Sequence, residues 1–328
     1  MSKRALVSSM FALVAAAGCR SAQAPTGPSG GYEVVAAVDE APGNITVGPD
    51  GTVVVSLHQF FEPEVRVATV EDGALVPFDA GVEFDAVLGV QFDPTGTLWL
   101  LDNGMRGGVD PRLIGVPPDG GAPRVIGLGT VAPENAFFND LAVDANRGWV
   151  YIADPAGGAN AALVVVNLAD GSARRVLEGH ESVMPENVDL VIDGQPVERR
   201  RPDGSTVRPH IGVNPIALST DGDTLYFGPM HGTKMYRVST EALRDPAAED
   251  ALAGTVEVHA AKPICDGISV DRAGNIYLGY LEKDAIAVLR PTGELEILAQ
   301  DPALSWIDAF AFGPDGRLDL YGGKLTAA

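Results

Sequence analysis

Asp266-Gly267-Ile268-Ser269-Val270-Asp271-Arg272-Ala273-Gly274-Asn275-Ile276-Tyr277-Leu278 is a short apolar run, a D-x-x-G turn and a second apolar run. Two such runs across a glycine turn read as a tight pair of antiparallel strands. The phrase recurs at 44–55, 89–100, 139–152, 214–227 and 308–320. Its turn glycines, Gly51, Gly96, Gly148, Gly222, Gly274 and Gly316, are spaced by 45, 52, 74, 52 and 42 residues. Further apolar runs follow most copies, at 65–68 and 75–78, 113–116 and 124–126, 163–166 and 174–177, 234–238 and 256–258, and 285–289 and 295–298. Four-stranded units repeating every 40–50 residues or so predict an all-β fold, a β-propeller with blades around a central channel.

Six blades are expected, the last of them incomplete. Only two strands are legible there before the sequence reaches Tyr321-Gly322-Gly323, so the run Tyr32-Glu33-Val34-Val35-Ala36-Ala37-Val38 is expected to close the ring as its outer strand. The wide spacing between Gly148 and Gly222 predicts an insertion over 180–212 with a hairpin arm near 188–194. It reads either as a lid over the channel or as a solvated loop at an outer edge.

Lys3 and Arg4 before an apolar stretch at 5–17 read as an export signal over 1–18. Cleavage before Cys19 would make a lipoprotein, and the Ala22-Gln23-Ala24 site would give a secreted protein. Residues 19–31, rich in Gly, Pro and Ser, read as a flexible tether, and 32–328 as the propeller. The expected location is outside the cytoplasm, periplasmic or on the cell surface, with any membrane contact made through a lipid at Cys19. That leaves Cys265 as the sole remaining thiol and excludes an internal disulfide. A formal charge of −21 argues against nucleic acid and anionic lipid, and favours cations or basic small molecules. Walker loop, HExxH and C-x-x-C motifs are all missing from the sequence. A monomer is expected.

In a propeller the starts of the innermost strands share one rim of the channel with the loops joining second and third strands. Asn44, Asn139, Asp140, Asn214, Asp266 and Asp308 begin such strands, and His58, Asp102, Asn103, Asp154, His231 and Glu282 lie in the loops. Carboxylates, amides and two histidines at one rim suit an amine or polyhydroxyl ligand, or a hard cation such as Ca²⁺. Asp140, Asp266, Asp308 and His231 are the candidates for proton transfer. Set beside this is a plainer expectation: Asp or Asn before a strand often only caps a turn, and Trp99, Trp149 and Trp306 pack between blades.

The stretch Gly212-Val213-Asn214-Pro215-Ile216-Ala217-Leu218-Ser219-Thr220-Asp221-Gly222, with Leu225-Tyr226-Phe227 and Lys234-Met235-Tyr236-Arg237-Val238 behind it, resembles the major royal jelly and insect yellow protein family. Leu98-Trp99-Leu100-Leu101-Asp102-Asn103-Gly104, Cys265-Asp266-Gly267-Ile268 and Trp306-Ile307-Asp308-Ala309-Phe310 support the likeness. It implies an exported six-bladed propeller whose channel holds an amine or catechol-derived ligand, with dopachrome tautomerase-like chemistry as the activity of some members. The chain is also similar to regucalcin-like gluconolactonases. That likeness implies a divalent cation, Ca²⁺ or Zn²⁺, held by Asn214 and Asp266, with Asn44 where a Glu is usual. The alternatives are therefore a metal-dependent lactonase and a non-enzymatic scaffold that binds a partner protein.

Overall fold

The computed structural model describes residues 11–16, 32–38, 41–105, 108–201 and 203–322. The apolar runs form antiparallel four-stranded sheets, each strand hydrogen-bonded to the next in sequence. The first blade is Pro42–Val47, Val53–Leu57, Val67–Glu71 and Ala74–Pro77. Four more follow, with innermost strands Val87–Phe92, Leu141–Asp144, Val213–Leu218 and Ile268–Val270. Burial grades outward, as the sequence pattern requires. Pro42–Val47 is buried throughout, whereas the outermost strand Leu295–Gln300 is almost wholly exposed.

The expectation of six like blades resolves into five that are each made of consecutive strands. The remaining sheet, at the seam of the ring, is a composite of both chain ends, in the order Tyr32–Val38, Phe11–Ala16, Leu318–Gly322, Ile307–Phe312. Tyr32–Val38 is the outer strand, as expected, but its partner is Phe11–Ala16. The sheet therefore has four strands where the sequence suggested three. The physical reason is that Phe11-Ala12-Leu13-Val14-Ala15-Ala16 is apolar at every position, a pattern that suits an inner strand as well as an export signal. A chain beginning at Cys19 is expected to show its fastest amide exchange in Tyr32–Val38 and Leu318–Gly322, which lose their shared neighbour. Uniform protection across all sheets in that shortened chain would show the third strand to be dispensable.

The turn acids of the repeat are structural. Asp50, Asp93, Asp221, Asp271 and Asp315 each accept the backbone N–H two residues on, at 2.8–3.0 Å. The following turn glycines take positive φ, as at Gly51 (87°) and Gly96 (86°), where a side chain would be strained. Between blades, apolar residues of adjacent sheets interlock, for example Trp99, Leu113, Leu141, Val150 and Val164.

The insertion forms two short hairpins, Val191–Ile192 with Gln195–Pro196 and Arg199–Arg200 with Thr206–Val207. Asp193 and Gly194 both have positive φ, 52° and 74°, as a two-residue hairpin turn needs. Leu190 packs with Met230, Ile264 and Leu281, and Trp306 lies against this cluster. The insertion thus covers part of the face that carries the innermost strand starts.

Candidate functional site

The strand starts converge on one rim, and four of the innermost strands are irregular where they begin. Register shifts fall between Pro42 and Asn44, Val87 and Val90, Val213 and Ile216, and Ile307 and Ala309. An extra residue at such a bulge re-aims its neighbours, here toward the channel. The result is a chain of side chains around the rim. Asn139 Nδ2 donates to Asn214 Oδ1, Asn214 Nδ2 donates to Asp266 Oδ1, and Asp266 shares a hydrogen bond with Asp308. Tyr321 O–H donates to Asp308 Oδ2, and Trp306 Nε1–H donates to Asp266 Oδ2 at 2.9 Å. Asp140 stands one position further along its strand than Asp266 and Asp308 do on theirs, and accepts from Asn44 Nδ2 at 2.9 Å and from Leu141 N at 2.8 Å.

Close approach of the fifth blade to the seam depends on Gly267. A Cβ there would lie 1.9 Å from the Asp308 carbonyl oxygen, so only glycine lets Asp266 and Asp308 meet. Trp306 is held at φ 47°, a left-handed backbone unusual for so bulky a residue.

Burial raises all three acids. Asp140 is pushed up to about 7, partly offset by the Leu141 and Asn44 hydrogen bonds. Burial likewise raises Asp266 to about 6, opposed by Trp306, by Asp308 and by the charge on Lys262. Asp308 lies well above the ordinary carboxyl range, first through burial and then through the Asp266 charge beside it. Two carboxyls in one hydrogen bond share a proton rather than both ionise. Lys262 is 5 % exposed and spends its ammonium on backbone carbonyls of Gly232 (2.9 Å), Pro263 (3.2 Å) and Met230 (3.4 Å), with its pKa lowered by burial.

A cavity of about 470 Å³ runs along the inner strands from Asn44 and Asp140 to the turns at Pro49, Pro94, Asn146 and Pro314. Asp140 lines it, while Asn139, Asn214, Asp266 and Asp308 belong to the hydrogen-bonded ring beyond its inner end.

The other rim candidates serve the scaffold. His58 accepts from Phe60 N at 3.2 Å, capping the short turn Gln59–Phe61, and burial lowers its pKa to about 4. His231 is 1 % exposed and its Nδ1 accepts from Ile211 N at 3.2 Å, tying down the end of the insertion. Its pKa is lowered to about 4, chiefly by burial. Asp102 and Asp154 anchor backbone and arginine. Asn103 donates to Gln59 Oε1 at 3.1 Å. Glu282 accepts from Val191 N of the insertion at 3.4 Å. Cys265 is buried and free, and Cys19 lies outside the described residues. Trp306, expected between blades, instead binds Asp266. Tyr321 was not foreseen at all; the W-I-D order at 306–308 was the available signal for the first of the two.

The lactonase donor set does not fit these residues. Asn44 and Asn214 turn their N–H₂ groups to carboxylates and their carbonyl oxygens to N–H donors, where a cation would need the oxygens free. Among the described residues no group of three or more His, Cys, Asp or Glu is arranged to hold a metal ion.

Comparison with solved structures supports the fold. A chain of the nidogen/laminin complex superposes with a TM-score of 0.61 at 11 % identity, covering 92 % of this chain and 97 % of that one. The Xanthomonas campestris gluconolactonase gives 0.53 at 17 % identity over 87 % and 86 % of the two chains. Streptogramin B lyase gives 0.52 at 14 % identity over 87 % and 94 %. No match is found among curated protein sequences. The major royal jelly protein family matches residues 128–311, more than half of the chain and including Asn139, Asp140, Asn214, Asp266, Trp306 and Asp308. The chain therefore belongs to the major royal jelly protein family.

Proposed function

We propose that this is an exported ligand-binding propeller, its ring counted as six blades with the composite sheet as the last, that takes a small amine or catechol-derived molecule against the acids of its channel. The observation that carries this reading is the meeting of Asp140, Asp266 and Asp308 with no cationic side chain among the described residues hydrogen-bonded to any of them. A bound ammonium would supply the missing charge and let the raised carboxyls ionise.

Proton transfer of the dopachrome tautomerase kind fits the same groups. An ionised Asp266 would take a proton from carbon, and the protonated Asp308 would give one to the ligand's oxygen, so the ligand is isomerised without any oxidant or reductant. The proton then returns from Asp266 to Asp308 through their shared hydrogen bond. Trp306, Asn214 and Tyr321 hold the two carboxyls in place.

Tyramine titrated by calorimetry should bind about tenfold more tightly at pH 8 than at pH 5.5. The cation needs carboxylates, and Asp266 and Asp140 lose their protons near 6 and 7. Asp140→Asn should weaken binding about tenfold at pH 8. No binding of tyramine at either pH would sink the reading. Isomerisation of L-dopachrome that disappears in Asp266→Asn would add the catalytic half, and equal rates in the variant and in the parent protein would remove it.

A further inference from the structure

Beyond this reading, and resting on it, the channel itself carries a second feature. Its cavity extends from Asp140 toward the turns that join first and second strands, the face opposite the insertion. Of the carboxylates lining it, Asp93 is bound by Trp99 Nε1 at 3.0 Å and by its own turn, and Asp144 pairs with Arg147 at 3.3 Å and Arg244 at 3.5 Å. Among the described residues Asp140 has only an amide and a backbone N–H as partners. The one cationic residue in the lining is Arg272, exposed, in the turn after Ile268–Val270, and it makes no ion pair among the described residues. Within the lining, Asp140 at the inner end is thus set against Arg272 at the outer end, and the charge of Asp266 behind Asp140 adds to the negative field there. Between them the inner strands offer a mixed wall, with Thr46, Gln91 and Ser269 beside the nearly buried Ile45, Ile216 and Phe310.

We infer that the channel is entered from this turn face and takes an elongated zwitterion, with its ammonium on Asp140 and its carboxylate on Arg272. Asp221, Asp271 and Asp315 in the surrounding turns accept N–H groups of their own turns and make no ion pair with Arg272 among the described residues. Length selects among such ligands. Asp140 and Arg272 stand about five residues apart along the strands, about 16 Å. The two side chains turned inward fill roughly half of that, which leaves room for a spacer of about five methylenes. An α-amino acid, with both charges on one carbon, is too short to reach both ends. The cavity of about 470 Å³ is in the range of small-molecule sites.

Calorimetry at pH 8 with three probes of one length, hexylamine, hexanoate and 6-aminohexanoate, tests this. The zwitterion should bind about fivefold more tightly than hexylamine, hexanoate should not bind, and the advantage should shrink at high salt. Arg272→Gln should erase the advantage and leave hexylamine affinity unchanged. Arg272 lies in an exposed turn and makes no ion pair among the described residues, so the variant should fold as the parent does. Hexylamine binding that depends on Asp140, with 6-aminohexanoate no tighter or with its advantage intact in Arg272→Gln, would overturn the zwitterion and leave the amine reading standing. Failure of both hexylamine and tyramine to bind would overturn both.

Discussion

Replacing Asp154 by alanine is expected to cost about 3–5 kcal/mol of stability, the range for removing one partner of a buried ion pair. The Asp154 side chain is fully buried at the end of Trp149–Asp154. Its Oδ1 accepts from Phe137 N at 2.8 Å and Ala156 N at 3.0 Å, and its Oδ2 from Arg175 Nη1 at 2.5 Å. Alanine strands two backbone donors and leaves a guanidinium, 13 % exposed, with only Glu178 and carbonyl oxygens as partners. Because Phe137 leads directly into Asn139 and Asp140, ligand affinity should fall along with stability. Asp102→Ala should behave alike: Asp102 holds Asp85 N, Ala86 N and Arg112 at 2.8–3.1 Å in the neighbouring blade. Thermal unfolding should drop by about 1.5 °C per kcal/mol for a chain of this size. A loss under about 1 kcal/mol for both variants would show these loops to be held by solvent instead.

That pair of acids marks where reading the sequence stopped short. Asp102 and Asp154 were grouped with Asp140, Asp266 and Asp308 because all lie at strand ends on one face. Nothing in the spacing tells a carboxylate that faces the channel from one that turns back into its own blade. The distinction comes from Arg112 and Arg175 on outer strands: Arg112 pairs with Asp102 across the sheet, and Arg175 reaches Asp154 from two strands away. The repeat was legible because alternation and turn glycines are local properties. The offset of Asp140 by one position is local as well: Leu141 follows it directly, whereas Gly267 and Ala309 separate Asp266 and Asp308 from Ile268 and Phe310. Tyr321 escaped because its link is not local. It reaches Asp308 only through the pairing of Ala309 with Tyr321, thirteen residues from the acid that it binds. Phe11–Ala16 shows the opposite case, in which one apolar run satisfies two physical demands, and only the open edge at the seam shows the second.

Asp308→Asn should raise stability at alkaline pH while removing function. A carboxyl whose folded pKa exceeds its unfolded value, about 3.9, stabilises the fold fully only below that unfolded value. The contribution is lost as pH rises through the folded values, about 6 for Asp266 and about 7 for Asp140, with Asp308 also raised. The ligand-free protein should therefore lose stability steadily between about pH 4 and pH 8. Asparagine at 308 keeps a carbonyl oxygen for the Tyr321 O–H and presents an N–H to Asp266, yet carries no charge. At pH 8 the variant should gain about 1–3 kcal/mol, discounted for the water that reaches a half-buried group. At pH 4, where Asp308 is already neutral, it should gain nothing. Tyramine affinity at pH 8 should fall at least tenfold, the exchange of stability for activity expected where like charges are gathered for a ligand. Thermal unfolding followed from pH 4 to pH 8 separates this from a packing effect, which would shift the melting temperature equally at every pH. A variant less stable than the parent at pH 8 would mean that Asp266 and Asp308 already carry a counter-ion in solution.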